Sequence, residues 1–365
     1  MNRSPQVVHA SYMRRLHGPA PVGANFCTPT NPPVALANVG DSLATSAAVT
    51  IPASDVAVRI CGSALGAFPG AECVGIVEEA GDAAQHLAGQ AVLLPRVLSC
   101  GECSCCRRGA VLACPQRRAR PVRPQPFEVV PARYLLPVAP PYVRVAPPAE
   151  TLWQLALLSD ALLTPYTGLV RAGVSPGTVC VVLGQGFRAQ LAAVMAEALG
   201  LFVVRFSAQE AVQLDPAAAR QRVAELANAQ GLPLAGACIV ETVGSDAARA
   251  RAVLMAEPAS SVLLLERSLP LGGADVEGRL VAEPEAGAQL VSVAVLQHVV
   301  AMQAQVLAVA PHPDLLPELL ALCGRAQLDL ASHTRAVRAE EIEAVMATRR
   351  SGQETDLRLP IVQFA

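Results

Sequence analysis

Between Val34 and Val145 the chain alternates short apolar runs with Gly and Pro: Val56–Cys61, Cys73–Glu79, Gln90–Pro95 and Glu128–Leu136. Runs of this length, bounded by turn residues, predict strands of a small β-rich domain. After Glu150 the pattern changes. Val179–Leu183 is a continuous apolar run, followed by Gly-Gln-Gly and a helical pattern over Gln190–Leu199 that Gly200 ends. Leu201–Phe206, Ala237–Glu241 and Val262–Leu265 follow at similar intervals, each after a helical stretch. Strands alternating with helices imply βαβ units, right-handed crossovers and a parallel sheet buried on both faces. The predicted fold class is therefore α/β, a β-rich domain plus a Rossmann doubly wound parallel sheet. Residues 1–35, rich in Pro, Asn, Ser and His, have no sustained period and read as a loose leader. Pro313–Ala365 carries two helical stretches and an apolar tail from Leu357. The expected division puts 36–163 and 313–365 in the β-rich domain and 164–312 in the Rossmann domain.

Composition narrows the function classes. At 365 residues the chain is long enough for two domains. With 52% hydrophobic and 16% charged residues it is not a disordered or solvating protein. The net charge of -2 sets up no field that draws nucleic acid or membrane. Lysine never occurs, so lysine Schiff-base chemistry is excluded. Asp160 interrupts the apolar stretch Trp153–Val170, so no span is predicted, and the Arg- and His-bearing start lacks the apolar core of an export signal. A cytoplasmic location is the expectation, with the eleven cysteines reduced. Six arginines fall between Arg107 and Arg123 among prolines. They read as a solvated surface loop, with a phosphate site for a nucleotide-like substrate as the sharper alternative.

Two motifs carry candidate chemistry. Cys100, Cys103, Cys106 and Cys114 are offset by three, three and eight residues, with Gly109 at the bend. Such spacing aims four thiolates at one tetrahedral zinc and leaves no position for water or substrate, so the site is structural. Cys105 is surplus, and an iron–sulfur cluster is the lesser alternative. Val179–Leu183, Gly184-Gln-Gly186 and Phe187-Arg188-Ala189 form strand, turn and helix, the setting of a dinucleotide fingerprint. Gly184 permits the turn, Gly186 lets a pyrophosphate approach the helix N-terminus, and Ala189 replaces the third glycine. Arg188 replaces a small apolar residue and either binds phosphate or obstructs the cofactor. Ser207 stands where an acidic residue holds the ribose of NAD. With Arg205 it suits a 2′-phosphate, so NAD and NADP both remain open.

The order β domain, cysteine lobe, Rossmann domain, returning C-terminus resembles the zinc-containing medium-chain alcohol dehydrogenases, over about Val56–Val138 and Trp153–Gly244. Gly81–Val92, Val130–Arg133 and Ser159–Tyr166 before Arg171–Gly173 are similar to the 6-hydroxycyclohex-1-ene-1-carbonyl-CoA dehydrogenases of that superfamily. The resemblance implies a GroES-like β domain, a homodimer, NAD or NADP, and a second, catalytic zinc. It places Cys61 as a ligand, Ser63 as a proton-relay hydroxyl, Asp160 at the third ligand position four residues before Thr164, and Glu72 after the ligand histidine. That histidine is Ala71 here, so a catalytic zinc is doubtful; Cys61, Glu72 and Asp160 remain as the donors, and because the loop from Cys61 to Gly70 is shortened, Ala64, which offers no ligand, is the alternative occupant of the Cys61 position. Strand Val262–Leu265 ends in Glu266-Arg267 where the family has glycine.

Two functions follow. One is an NAD(P)-dependent oxidoreductase acting on an alcohol, ketone or enoyl group of a small molecule, with an alicyclic CoA thioester as a candidate and Ser63, Thr164 and Tyr166 as hydroxyl donors. The other is a catalytically degenerate relative serving as a partner subunit. The apolar runs Val262–Leu265 and Leu290–Leu296 are the expected dimer edges.

Overall fold

The computed structural model describes residues 51–65, 72–108, 110–120, 124–138, 149–213, 215–265, 293–350 and 356–364. The expected leader 1–35, Ala71, Gly109 and Glu266 lie outside them.

The chain first forms β1 (Asp55–Ala64), β2 (Cys73–Ala80) and β3 (Ala91–Leu94). A lobe follows with β4 (Val97–Leu98), a short helix α1 (Ser104–Arg107) and β5 (Arg118–Ala119). The chain then returns as β6 (Phe127–Pro131) and β7 (Leu136–Pro137). β1 pairs antiparallel with both β2 and β6. Val56, Val58 and Ile60 alternate inward along β1, as half-buried strands require. From Ile60 onward every residue is buried, because a second layer covers the other face. There the 3₁₀ segment Ala149–Leu158 lies so close that a Cβ on Gly62 would stand 2.6 Å from the Trp153 carbonyl oxygen. The predicted strand Glu128–Leu136 is two strands. Pro131 has no N–H for a ladder, and a turn at Ala132–Tyr134 redirects the chain from β1 to β3.

Helix α2 (Leu163–Arg171) leads to the second sheet. Its elements are β8 (Val179–Leu183), α3 (Phe187–Ala198), β9 (Phe202–Phe206), α4 (Ala208–Gln213), α5 (Pro216–Ala229), β10 (Cys238–Glu241), α6 (Asp246–Leu254), β11 (Ser261–Leu265), α7 (Val293–Met302) and β12 (Gln305–Val309). The order is β12-β11-β10-β8-β9, with every pairing parallel. β8 is buried throughout, as a strand flanked on both edges and covered on both faces must be. β9 and β10 flank it on opposite sides, so the topological switch point falls at its C-terminal end. Helix α8 (Leu316–Arg325), β13 (Thr334–Val337), α9 (Ile342–Arg350) and β14 (Leu359–Gln363) close the chain. β14 returns to the first sheet antiparallel to β1, with Gln363 opposite Gly62. The architecture is thus a GroES-like β domain joined to a Rossmann-type parallel sheet.

Three expectations are corrected. Leu290–Leu296 was expected as a strand, but from Val293 the chain is α7: Val295 and Val299 face the core while Leu296 and Val300 stay exposed, a helical period. β11 lies between β10 and β12, so it is not an edge; β12 is. The arginine-rich stretch is not uniformly solvated. Arg107 and Arg108 are exposed, but Arg120 is only 2% exposed. Its Nε donates to Glu128 Oε1 at 2.8 Å and its Nη1 to the Leu94 carbonyl at 3.2 Å. This pair bolts the lobe's return strand to β3.

Candidate functional site

The lobe brings Cys100, Cys103, Cys106 and Cys114 together, with all four sulfurs within 4.8 Å of one another. Individual separations are 3.9 Å for Cys100–Cys106, 3.5 Å for Cys103–Cys106 and 3.6 Å for Cys100–Cys114. Tetrahedral zinc with thiolates at about 2.3 Å needs sulfurs about 3.8 Å apart, so the cage fits that ion. Backbone N–H groups of Cys100, Cys103 and Cys106 donate to the sulfurs of Cys114, Cys100 and Cys103 at 3.4–3.5 Å. Burial pushes the Cys100 thiol up, but the N–H groups of Cys103 and Glu102 and neighbouring thiols bring it down to about 7. Cys105 stays outside the group.

At the switch point, Gly184 has φ +131°, and a Cβ there would run into the Thr242 hydroxyl. Gly186 has φ +84° and caps α3 with open space where a side chain would stand. Ala189 is fully buried, seating the helix on the sheet. Arg188 packs over the Phe187 ring, 5.8 Å from its centroid. At the end of β9, Ser207 and Glu210 form a reciprocal cap on α4. The Ser207 N–H donates to Glu210 Oε2 at 2.7 Å, and the Glu210 N–H donates to Ser207 Oγ at 3.2 Å. Arg205 is exposed and donates to Gln190 Oε1 at 3.0 Å.

A cleft open at its mouth lies beside the first turn of α3. Arg96, Asp160, Thr164 and Arg188 line it, between apolar walls that include Val111, Leu136 and Val309. A recess next to it adds Glu72, Phe187 and Leu265. Glu72 is 5% exposed, and its Oε2 accepts the Ala161 N–H at 3.0 Å. The Thr164 hydroxyl donates to Asp160 Oδ1. Burial, then the charge of Asp160, pushes the Glu72 carboxyl up to about 8, against the opposing charges of Arg188 and Arg96 and the Ala161 N–H. Asp160, Arg188 and Arg96 therefore all act on Glu72.

The other sequence-derived candidates stand apart. The Cys61 sulfur lies 3.9 Å from the Arg59 carbonyl oxygen and 3.9 Å from its Nη1. Burial pushes that thiol up, opposed by the Arg59 charge. Ser63 is fully buried, and its hydroxyl oxygen accepts from the Cys73 thiol at 3.3 Å. Tyr166 donates to Glu318 Oε2 at 3.5 Å on α8. Of the three hydroxyls, only Thr164 lines the cleft. Among the described residues, the lobe is the sole group of three or more His, Cys, Asp or Glu side chains with converging donor atoms. Among the described residues, Cys61 lines neither the cleft nor its recess, and the donors Glu72 and Asp160 do not converge with it on a second metal ion. Arg96 escaped the sequence reading: it follows an ordinary strand, and nothing local tells which way it faces.

Residues 39–138 match the alcohol dehydrogenase GroES-like domain family. Solved structures share the fold over most of the chain. Galactitol-1-phosphate dehydrogenase from Escherichia coli aligns at TM-score 0.65 and 16% identity, covering 87% of this chain and 96% of its own. An alcohol dehydrogenase from a Thermus species aligns at 0.64 and 18%, covering 86% and 96%. A putative zinc-binding dehydrogenase from Sinorhizobium meliloti 1021, bound to NADP, aligns at 0.60 and 18%, covering 87% and 94%. No curated protein matches the sequence.

Proposed function

We propose that the chain is an NAD(P)-dependent oxidoreductase of the medium-chain dehydrogenase/reductase type, with one structural zinc and a cleft that works without a catalytic one. One observation carries the reading: Arg188, in the first turn of α3 directly after the glycine turn, lines the cleft together with Asp160 and Thr164 and the adjoining recess together with Glu72. A bound nicotinamide supplies or accepts the hydride. The open N-terminal turn of α3 at Gly186 receives the pyrophosphate, with Gly184 holding the turn. Arg205 and Ser207 stand at the ribose end. Glu72, its proton retained near neutral pH, is placed to donate to a developing oxyanion or enolate, and Thr164 with Asp160 orients the substrate. Cys61 and Ser63 act from outside the cleft, as packing groups. Cys100, Cys103, Cys106 and Cys114 hold zinc and fold the lobe.

The substrate is a small molecule bearing an alcohol, ketone or enoyl group. The sequence resemblance adds an alicyclic acyl-CoA to the candidates. The exposed apolar residues Leu296, Val300 and Val306 on α7 and the edge strand β12 favour a homodimer, and the thiol-rich lobe favours the reducing cytoplasm. Calorimetry with NADH and NADPH tests the reading; micromolar binding of either supports it, and binding of neither overturns it.

A second reading, a non-catalytic relative, draws on Arg188 and on the cap that occupies Ser207. Replacing Arg188 by Val separates the two. Tighter nicotinamide binding identifies the guanidinium as an obstruction, and weaker binding identifies it as a ligand.

A further inference from the structure

We propose that Glu210 selects NADH over NADPH: its carboxylate, folded back on the end of β9, receives the hydroxyls of the adenosine ribose and repels a 2′-phosphate; this rests on the oxidoreductase reading and names its cofactor. In a dinucleotide-binding sheet the second strand ends beside the glycine turn, where an acidic residue holds the ribose. Here the Gly184 N–H donates to the Phe206 carbonyl at 2.9 Å, which ties the turn to the end of β9. Ser207 follows Phe206 and brings no charge. A carboxylate reaches the same place from three residues further along. Glu210 Oε2 accepts the Ser207 N–H at 2.7 Å, and Ser207 Oγ accepts the Glu210 N–H at 3.2 Å. The negative charge therefore stands against the Ser207 backbone, with 38% of the Glu210 side chain exposed. The Ser207 N–H, then the Arg222 guanidinium, hold the Glu210 carboxyl below the usual carboxylate range, so it is ionised at neutral pH. A carboxylate accepts hydroxyl donors, whereas a phosphate brought to it meets like charge. The Ser207 N–H, a donor that a phosphate needs, is already taken. The neighbouring guanidiniums are engaged as well. Arg222 Nη1 donates to Glu210 Oε1 at 2.8 Å, and its guanidinium carbon lies 4.9 Å from the Phe206 ring centroid. Arg205 and Phe206 alternate to opposite faces of the sheet, and Arg205 Nη2 donates to Gln190 Oε1 on α3 at 3.0 Å.

The test is calorimetry on the full chain with NADH and NADPH at two salt concentrations. NADH is expected to bind about tenfold or more tightly than NADPH at about 0.05 M NaCl, and about 0.5 M NaCl narrows that ratio by screening the repulsion. Glu210→Gln keeps an acceptor for the Ser207 N–H, so the cap on α4 survives while the charge goes. It should bring the ratio to about threefold or less, chiefly through a gain in NADPH affinity. Equal affinities, a preference for NADPH, or a preference for NADH that survives Glu210→Gln overturns the proposal. An NADPH preference that Arg205→Gln abolishes overturns it too, and assigns the ribose end to a phosphate site built on that arginine. The salt response of the wild-type ratio is decisive even where the variant fails to fold, since a ratio that salt leaves unchanged refutes a charge origin. If the nucleotides bind without the expected ratio, selection by Glu210 falls and the oxidoreductase reading stands; if neither binds, both fall.

Discussion

Gly184 and Gly186 share one turn under different constraints. Gly184 is held by packing, since any Cβ meets the Thr242 hydroxyl; Gly186 is held only by its positive φ, with empty space beyond it. Gly184→Ala is therefore expected to lower Tm by several degrees in thermal unfolding. Gly186→Val costs about 1–2 kcal/mol of backbone strain but fills the space above α3, so it abolishes nicotinamide binding in calorimetry. Glu72 makes a prediction of opposite character. Its carboxyl moves from 4.5 to about 8 on folding, so the native state binds the proton more tightly. Its contribution to stability is full below pH 4.5 and is lost as pH rises through about 8, up to roughly 5 kcal/mol. Tm measured from pH 5 to 9 should fall more steeply for the wild type than for Glu72→Gln; parallel curves would refute this. At this scale the sequence was legible wherever a residue broke a local pattern. Arg188 and Ser207 announced themselves inside a known turn. Arg120 did not, because its partners Glu128 and Leu94 lie on other strands, and Arg96 did not, because the cleft it lines is built from segments far apart in the chain.

The lobe shows how an element with little apolar core is specified. Four thiols at turn spacing close a cage, and α1 is a single turn that carries Cys106 into it. Cys103→Ser should remove nearly all the zinc in metal analysis and loosen the lobe, whereas Cys105→Ser should leave the metal content unchanged. The Arg120–Glu128 pair supports the same lobe from beneath. Arg120→Met strands a buried carboxylate and should cost about 3–5 kcal/mol in denaturant unfolding; adding Glu128→Leu should recover most of it. The elements themselves were legible where periodicity was strong, as in Val179–Leu183, whose bounds were read correctly. Thr334–Val337 was not foreseen, being a four-residue strand that exists because β14 pairs with it. Apolar Leu290–Leu296 misled because short apolar runs do not distinguish strand from helix.

For the whole molecule, the purified chain should carry one tightly bound zinc, and Cys61→Ser should change the metal content little. A second zinc that disappears with Cys61 or Asp160 would show that the cleft rearranges around a metal. The two sheets were foreseeable from the change in texture near Glu150. A cleft between them was foreseeable too, but its lining was not, since that depends on how Asp160, Arg96 and Arg188 meet.

The pairing of β14 with β1 also sets a schedule for folding. Gly62 waits for Gln363, about three hundred residues later in synthesis, while the strands of the parallel sheet lie close together along the chain. Emerging from the ribosome, the central sheet can assemble first, and the GroES-like sheet stays unfinished until the final segment appears. A stop codon placed before Leu359 should thus yield a chain whose nascent middle resists protease while its N-terminal third is digested. Supplying residues 356–364 in trans as a peptide should restore protection to that third.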